Sequence, residues 1–299
     1  MNELYKKQVA LLIKIMPSIY KIQDFAVHGG TAINLFHKDM PRYSVDIDIT
    51  YIPIEEREKS LKAINFHLTE LKQMIEKAIP GIRVTHKLAV WKLLCVKDGA
   101  TVKIEVNGTK RGIIGATEDK ILCAKAQAEF NMSCNARIVS FTQLYGGKIS
   151  AALSRQHPRD LFDCKYMPFD SFEEAKDGLI LCLLGSDKPI LESLQPNAIN
   201  QETALQNQFE GMTNVPFSYE DYNVTREELI KRVNQMLTQE DKEFLISFEQ
   251  GEPKWGKCSA GNLSKYPSVK WKLKNILKLK ETNSDKFNAG VDKLQKFFG

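Results

Sequence analysis

VDIDITYI, residues 45–52, alternates apolar and polar side chains with a period of two. That is the pattern of a β-strand with one buried and one solvated face. On such a strand Asp46 and Asp48 point to one side, and Val45, Ile47 and Ile49 to the other. Two carboxylates about 7 Å apart on one face repel each other unless positive charge lies between them. An all-oxygen site of this kind suits Mg2+ or Mn2+. Downstream, VKIEVNG (102–108) repeats the alternation, with Lys103, Glu105 and Asn107 on one face and Val102, Ile104 and Val106 on the other. If the two strands are neighbours, Glu105 completes a three-carboxylate cluster able to hold two divalent ions about 3.5–4 Å apart, the arrangement used for in-line nucleotidyl transfer. A salt-bridged, solvated sheet face fits the same residues.

Two further segments flank these strands. HGGTAINLF (28–36) reads as the end of a strand, a Gly29-Gly30 turn and a helix from Thr31. Glycines let a backbone approach a ligand closely, and a helix N-terminus favours phosphate, although Thr31 also suits a simple N-cap. GGKISAALSRQHPRDLFD (146–163) places Lys148 and Arg155 seven apart on one helix face, with Ala151 and Ala152 between them. Two cations from one face suit a triphosphate. Pro158 is expected to start the next helix, with Asp160 in its first turn and Asp163 paired to Arg159 or Lys165.

Around these segments the pattern gives a helix over 3–22 interrupted near Pro17, a strand at 25–28, a helix over 31–37 and another over 55–78. Strands follow at 82–89, 90–96, 101–107 and 136–141, then helices over 141–155, 158–167 and most of 173–299. The fold class expected is α+β, a mixed α/β core followed by a mainly helical part. The boundary is placed at Met167-Pro168, giving units 1–168 and 169–299.

Composition excludes several classes. Hydrophobic residues are 43% and charged residues 26% of the 299, so the chain is neither disordered nor membrane-embedded, and no apolar run approaches the roughly 20 residues of a span. The N-terminus lacks a secretory pattern. Six scattered cysteines, none in a C-x-x-C pair, read as buried thiols of a reducing compartment, and the cytoplasm is the expected location. The net charge of +5 is uneven: residues 251–299 hold 11 lysines and four acids, against −2 for the rest. Lys270, Lys274 and Lys278 form a stripe on one expected helix face, with Val269, Leu273, Ile276 and Leu277 on an inward one. Such a stripe suits either solvent or a polyanion.

The order of these parts resembles the polymerase-beta-like nucleotidyltransferases. More closely, GGTAINLF, RYSVDIDI, IEVNG and KISAALSRQHPRDLFD resemble the AbiEii/AbiGii-type toxins of type IV toxin–antitoxin systems, related to the MenT toxins, over residues 28 to about 280. The 15 residues between Gly30 and Asp46 exceed the gap in the wider superfamily and imply an unusual connection around Pro41. The resemblance implies transfer of NMP from an NTP to an acceptor, RNA and notably the tRNA 3′ end, by a toxin held in check by a separately encoded antitoxin. Its implied metal ligands are Asp46, Asp48 and Glu105, with Glu105 also a base for the acceptor hydroxyl. Its implied nucleotide contacts are Gly29, Gly30, Thr31 and Lys148, with Arg42 and Ser44 bracing the metal strand or touching phosphate and Arg155 and Arg159 at the helix–helix corner beside the nucleotide, and its downstream functional aspartate is Asp160 in preference to Asp163. Nucleotidylation of a small molecule or protein, and a non-catalytic nucleotide-binding module, are the alternatives.

Overall fold

The computed structural model describes residues 2–167 and 171–299. The chain forms two compact units, Met1–Ser140 with Gln206–Phe217, and Phe141–Leu205 with Ser218–Gly299. Pro168, where the sequence places the boundary, lies outside the described residues. The division falls after Ser140 instead, and 206–217 returns to the first unit.

The first unit is built on a seven-stranded mixed sheet in the order β3-β4-β5-β2-β1-β7-β6. The strands are β1 (Phe25–His28), β2 (Asp46–Tyr51), β3 (Arg83–Lys87), β4 (Lys92–Lys97), β5 (Ala100–Val106), β6 (Glu118–Ile121) and β7 (Asn135–Ile138). β2 runs antiparallel to β1 and parallel to β5. The inward residues of the central strands, Val27, Ile47, Ile49, Val102, Ile104 and Val106, are at most 1% exposed. Helix α1 (Glu3–Tyr20) packs on β5 and β7, and α3 (Arg57–Ala78) packs on β3, burying Leu12, Ile15 and Ile19 and then Ile64, Leu68 and Leu71. This apolar face fixes the register and so turns Asp46, Asp48 and Glu105 to the opposite one. Helix α1 continues through Pro17 to Tyr20. The edge strand β6 and helix α4 (Ala124–Phe130) have no counterpart in the sequence reading, because EDKI has no apolar period and takes its strand form from pairing with β7.

The expected helix over 31–37 begins earlier. One α turn, α2 (Gly29–Ala32), passes into a π turn over Ile33–His37. Lys38 and Met40, the latter left-handed at φ 50°, donate backbone N–H groups to Ile33 and Asn34. The long connection before β2 is therefore wound up rather than looped out.

The second unit is helical. Its first two helices are α5 (Phe141–Arg155) and α6 (Pro158–Lys165), and α5 crosses the helix Lys176–Leu184 at glycine. A Cβ on Gly146 would lie 2.3 Å from the Leu179 nitrogen, and one on Gly178 would lie 2.0 Å from the Thr142 carbonyl oxygen. This crossing is why α5 belongs to the helical unit and not to the sheet. Gly147, one residue along, has nothing within 4 Å of the same position. Gly146→Ala should cost about 2–3 kcal/mol by overpacking a backbone-to-backbone contact, whereas Gly147→Ala should add about 0.5–1 kcal/mol through helix propensity. Urea denaturation of the two variants checks the contrast.

Candidate active site

In the first unit the pairing register sets a row of polar residues across four strands. His28 pairs with Asp48, Asp48 with Glu105, and Glu105 with Lys92. Asp46 pairs with Lys103 one step along. Register partners in adjacent strands share a face, so β5 brings Glu105 and Lys103 beside the two aspartates as the alternation implied. The carboxylates do not converge. Glu105 is taken by Lys92 at 3.0 Å and Lys103 at 3.6 Å, and Lys103 reaches Asp46 at 4.0 Å. Lys103 is the positive charge that two like-charged aspartates on one face require, and the sequence showed it only as a neighbour of Glu105. Among the described residues no three His, Cys, Asp or Glu side chains form a ready metal cage. The expected three-carboxylate cluster is thus adjacent in register, with Lys103 shared between Asp46 and Glu105 and Lys92 on Glu105.

The Gly29-Gly30 turn owes its composition to the protein's own polar groups. Gly29 has φ +72°, and a Cβ there would stand 2.5 Å from Oδ2 of Asp48. A Cβ on Gly30 would stand 2.8 Å from Nη2 of Arg42 and 2.9 Å from Oγ of Ser44. Arg42, 2% exposed, also donates to the carbonyl of Tyr43 at 2.8 Å. Thr31, 1% exposed, donates its hydroxyl to the Asp46 carbonyl at 2.5 Å and lies 3.0 Å from the Ser44 hydroxyl. Thr31 is therefore not the N-cap, a place that falls to His28, whose ring lies against Thr50 at 3.0 Å. Gly30, Thr31, Arg42 and Ser44 form a buried brace that fixes the start of β2, and Asp48 fills the space above Gly29. Asp46 and Asp48 remain half-buried on the polar face. Their all-oxygen donor set fits a hard divalent cation.

In the second unit, His157 caps α6 by accepting from the Arg159 N–H at 3.1 Å, Pro158 is its first residue, and Gln156 turns the chain at φ 49°. This corner points Asp160 and Asp163 back at α5. Lys148, with a side chain only 4% exposed, pairs with Asp160 at 2.8 Å and with Asp163 at 2.9 Å. Arg155 grips Asp160 through Nε at 2.5 Å and Nη2 at 3.0 Å while most of its side chain stays in solvent. Burial alone would raise the Asp160 pKa, but Lys148 and Arg155 outweigh it and hold the carboxyl well below the usual range. The sequence reading aimed Lys148 and Arg155 at a triphosphate, and here both meet Asp160. It paired Asp163 with Arg159 or Lys165. Asp163 meets Lys148 at 2.9 Å, and Lys165 binds Asp221 at 2.5 Å. Seven-residue spacing correctly put the two cations on one face, but no pattern in the sequence shows which anion they meet.

The model of the nucleotidyl transferase AbiEii toxin family, type IV toxin–antitoxin system, matches residues 19–275. The chain belongs to this family. It is a nucleotidyltransferase, and the family's toxins are opposed by a cognate antitoxin and use an NTP. The fold is also that of MenT4, the nucleotidyltransferase toxin Rv2826c of Mycobacterium tuberculosis H37Rv, at 13% identity and a TM-score of 0.61, over 92% of this chain and 95% of that one. No curated protein matches the sequence. No helix among the described residues is long and apolar enough to cross a membrane.

Replacing Asp160 with asparagine leaves Lys148 buried beside a single carboxylate and should cost about 3 kcal/mol at pH 7. Because the folded Asp160 pKa is depressed, the stability it supplies is present above about pH 4, the ordinary carboxylate pKa, and is lost as pH falls below it. Thermal melts should show the difference between wild type and Asp160→Asn shrinking steadily below that pH.

Proposed function

We propose that this toxin transfers an NMP from an NTP to the 3′ end of RNA, with tRNA as the acceptor, using Mg2+ or Mn2+ held by Asp46 and Asp48. The observation that carries the reading is the sheet face itself. Two aspartates project from one strand beside a Gly-Gly turn, with Glu105 as the register partner of Asp48. A divalent ion there would offset the charge of the triphosphate and polarise the transferred phosphoryl group.

The chain's own residues have separable tasks. Asp46 and Asp48 supply the ligand oxygens. Glu105 lies one strand away and, once free of Lys92 or Lys103, takes the proton of the acceptor hydroxyl. Lys103, no longer needed between the carboxylates when a metal is held, becomes a cation for phosphate. Gly29 and Gly30 allow close approach, while Thr31, Arg42 and Ser44 keep the start of β2 rigid beneath the aspartates. Lys148 can reach a phosphate only by giving up Asp160 or Asp163. It acts with them as a positioning group, Arg155 and Arg159 are the nucleotide-facing cations proposed for that corner, and Asp160 is the anion that sets Arg155. Little covalent chemistry is asked of such a site beyond placement and electrostatics.

Incubation with each labelled NTP and total RNA, followed by gel separation and pyrophosphate release, tests the reading. Asp46→Asn and Asp48→Asn should each reduce transfer at least about 1,000-fold, about 4 kcal/mol of lost transition-state stabilisation, without lowering the melting temperature. Expression of the wild type alone should slow growth, and Asp48→Asn should not. Label on a small molecule or a protein, with none on RNA, would move the acceptor to that class.

A further inference from the structure

The helix Pro267–Thr282 carries an unpartnered surface of one chemical kind. Lys270, Lys274 and Lys278 are exposed, and their ammonium groups make no hydrogen bond or ion pair with any described residue. Trp271 lies among them, three residues from Lys274 and seven from Lys278, so all share one face. It is 57% exposed. The other two tryptophans are packed: Trp255 against Phe244 and Phe248, and Trp91 against Gly108. Trp271 has no ring partner among the described residues.

The opposite face explains why these residues are left outside. Val269 and Ile276 are buried, and so is Lys272, where the sequence expected Leu277. Lys272 donates to the carbonyls of Leu183 at 2.9 Å and Lys188 at 2.7 Å. Burial lowers its pKa to about 8. The helix is thus docked by an inward lysine. Leu277, 40% exposed, leans over Gly251, within 2.9 Å of where its Cβ would be. Glu281, at the C-terminal end, is the one acid on this face.

We propose that this face grips a single-stranded segment of the RNA acceptor. Lys270, Lys274 and Lys278, spread over about 12 Å of helix, track the phosphates, and a base stacks on the Trp271 ring. The inference starts from the RNA reading of the acceptor and adds the contact. Lysines alone fit any polyanion, but a bare indole among them offers what a base needs and a carboxylate does not.

Fluorescence anisotropy with a labelled single-stranded 12-mer RNA and its duplex, titrated with the full-length protein across KCl concentrations, tests it. Trp271→Ala should weaken single-strand binding at least about 5-fold, the low end for loss of one stacked base, and duplex binding far less, while Trp271→Phe should retain most of it. Converting the three lysines to glutamine should flatten the log–log salt slope by about 0.7 per lost contact, roughly two in all. NTP binding and the melting temperature should stay as in the wild type. Unchanged affinity and slope in both variants would overturn the proposal, as would poly-glutamate competing as well as RNA at equal charge, which assigns the face to an acidic protein. RNA bound through Trp271 but never labelled by NTP would keep this surface and remove RNA as the acceptor. Labelling at limiting RNA that Trp271→Ala leaves intact would do the reverse.

Discussion

Repulsion among Asp46, Asp48 and Glu105 is the constraint around which the first unit is arranged. A sheet that sets three carboxylates on one face of adjacent strands must place cations among them or see their ionisation suppressed. Lysines on β5 and its neighbour β4 answer it. Lys103 on β5 pairs in register with Asp46 and lies within ion-pair distance of both Asp46 and Glu105, and Lys92 on β4 takes Glu105 from the other side. The side chains of these pairs are about a third exposed, so each pair adds little to stability and exchanges readily. That is what a site needs if a cation or a phosphate is to replace a lysine.

The second unit meets charge by the opposite route. Lys148, Asp160 and Asp163 are withdrawn from water, and Arg155 closes the group from outside. The penalty for burying these charges is recovered only while every partner is present. The arrangement therefore locks the α5–α6 corner, whose geometry comes from Pro158, the His157 cap and the left-handed Gln156. Glycines do for backbone what these charges do for side chains: Gly146 and Gly178 let α5 and its partner helix meet at main-chain contact.

Strands with a buried face were legible because a period of two is forced by the pleat. β1, β2, β4 and β5 lie within a residue or two of where alternation placed them, and the adjacency of Glu105 to Asp48 followed once β2 and β5 proved neighbours. What alternation does not contain is the partner of an exposed charge. Lys103, Lys92 and His28 gained their places from register, a long-range property. Edge strand β6 was invisible for the same reason, since its four residues become a strand only on β7. The unit boundary was missed because it rests on a helix crossing at glycine, and a lone glycine in a helical pattern reads as a weakness rather than a contact. The Gly29-Gly30 turn was found, but the groups that crowd it, Asp48, Arg42 and Ser44, were not.

That crowding bears on how the proposed site works. If the glycines made room only for a ligand, the turn would be a loose receptor shaped on binding. Because Arg42 and Ser44 occupy the space beside Gly30, and Thr31 is bonded to the Asp46 carbonyl, the backbone under the aspartates is held by the protein's own groups, and the nucleotide proposed for this face would meet it already in place. The ordering entropy of that loop is spent in folding and not in binding. The side chains that the proposed function asks to exchange partners, Lys103, Lys92 and Glu105, are all part-exposed on the same face. A rigid frame beneath and exchangeable charges above is the division of labour that electrostatic catalysis of phosphoryl chemistry requires.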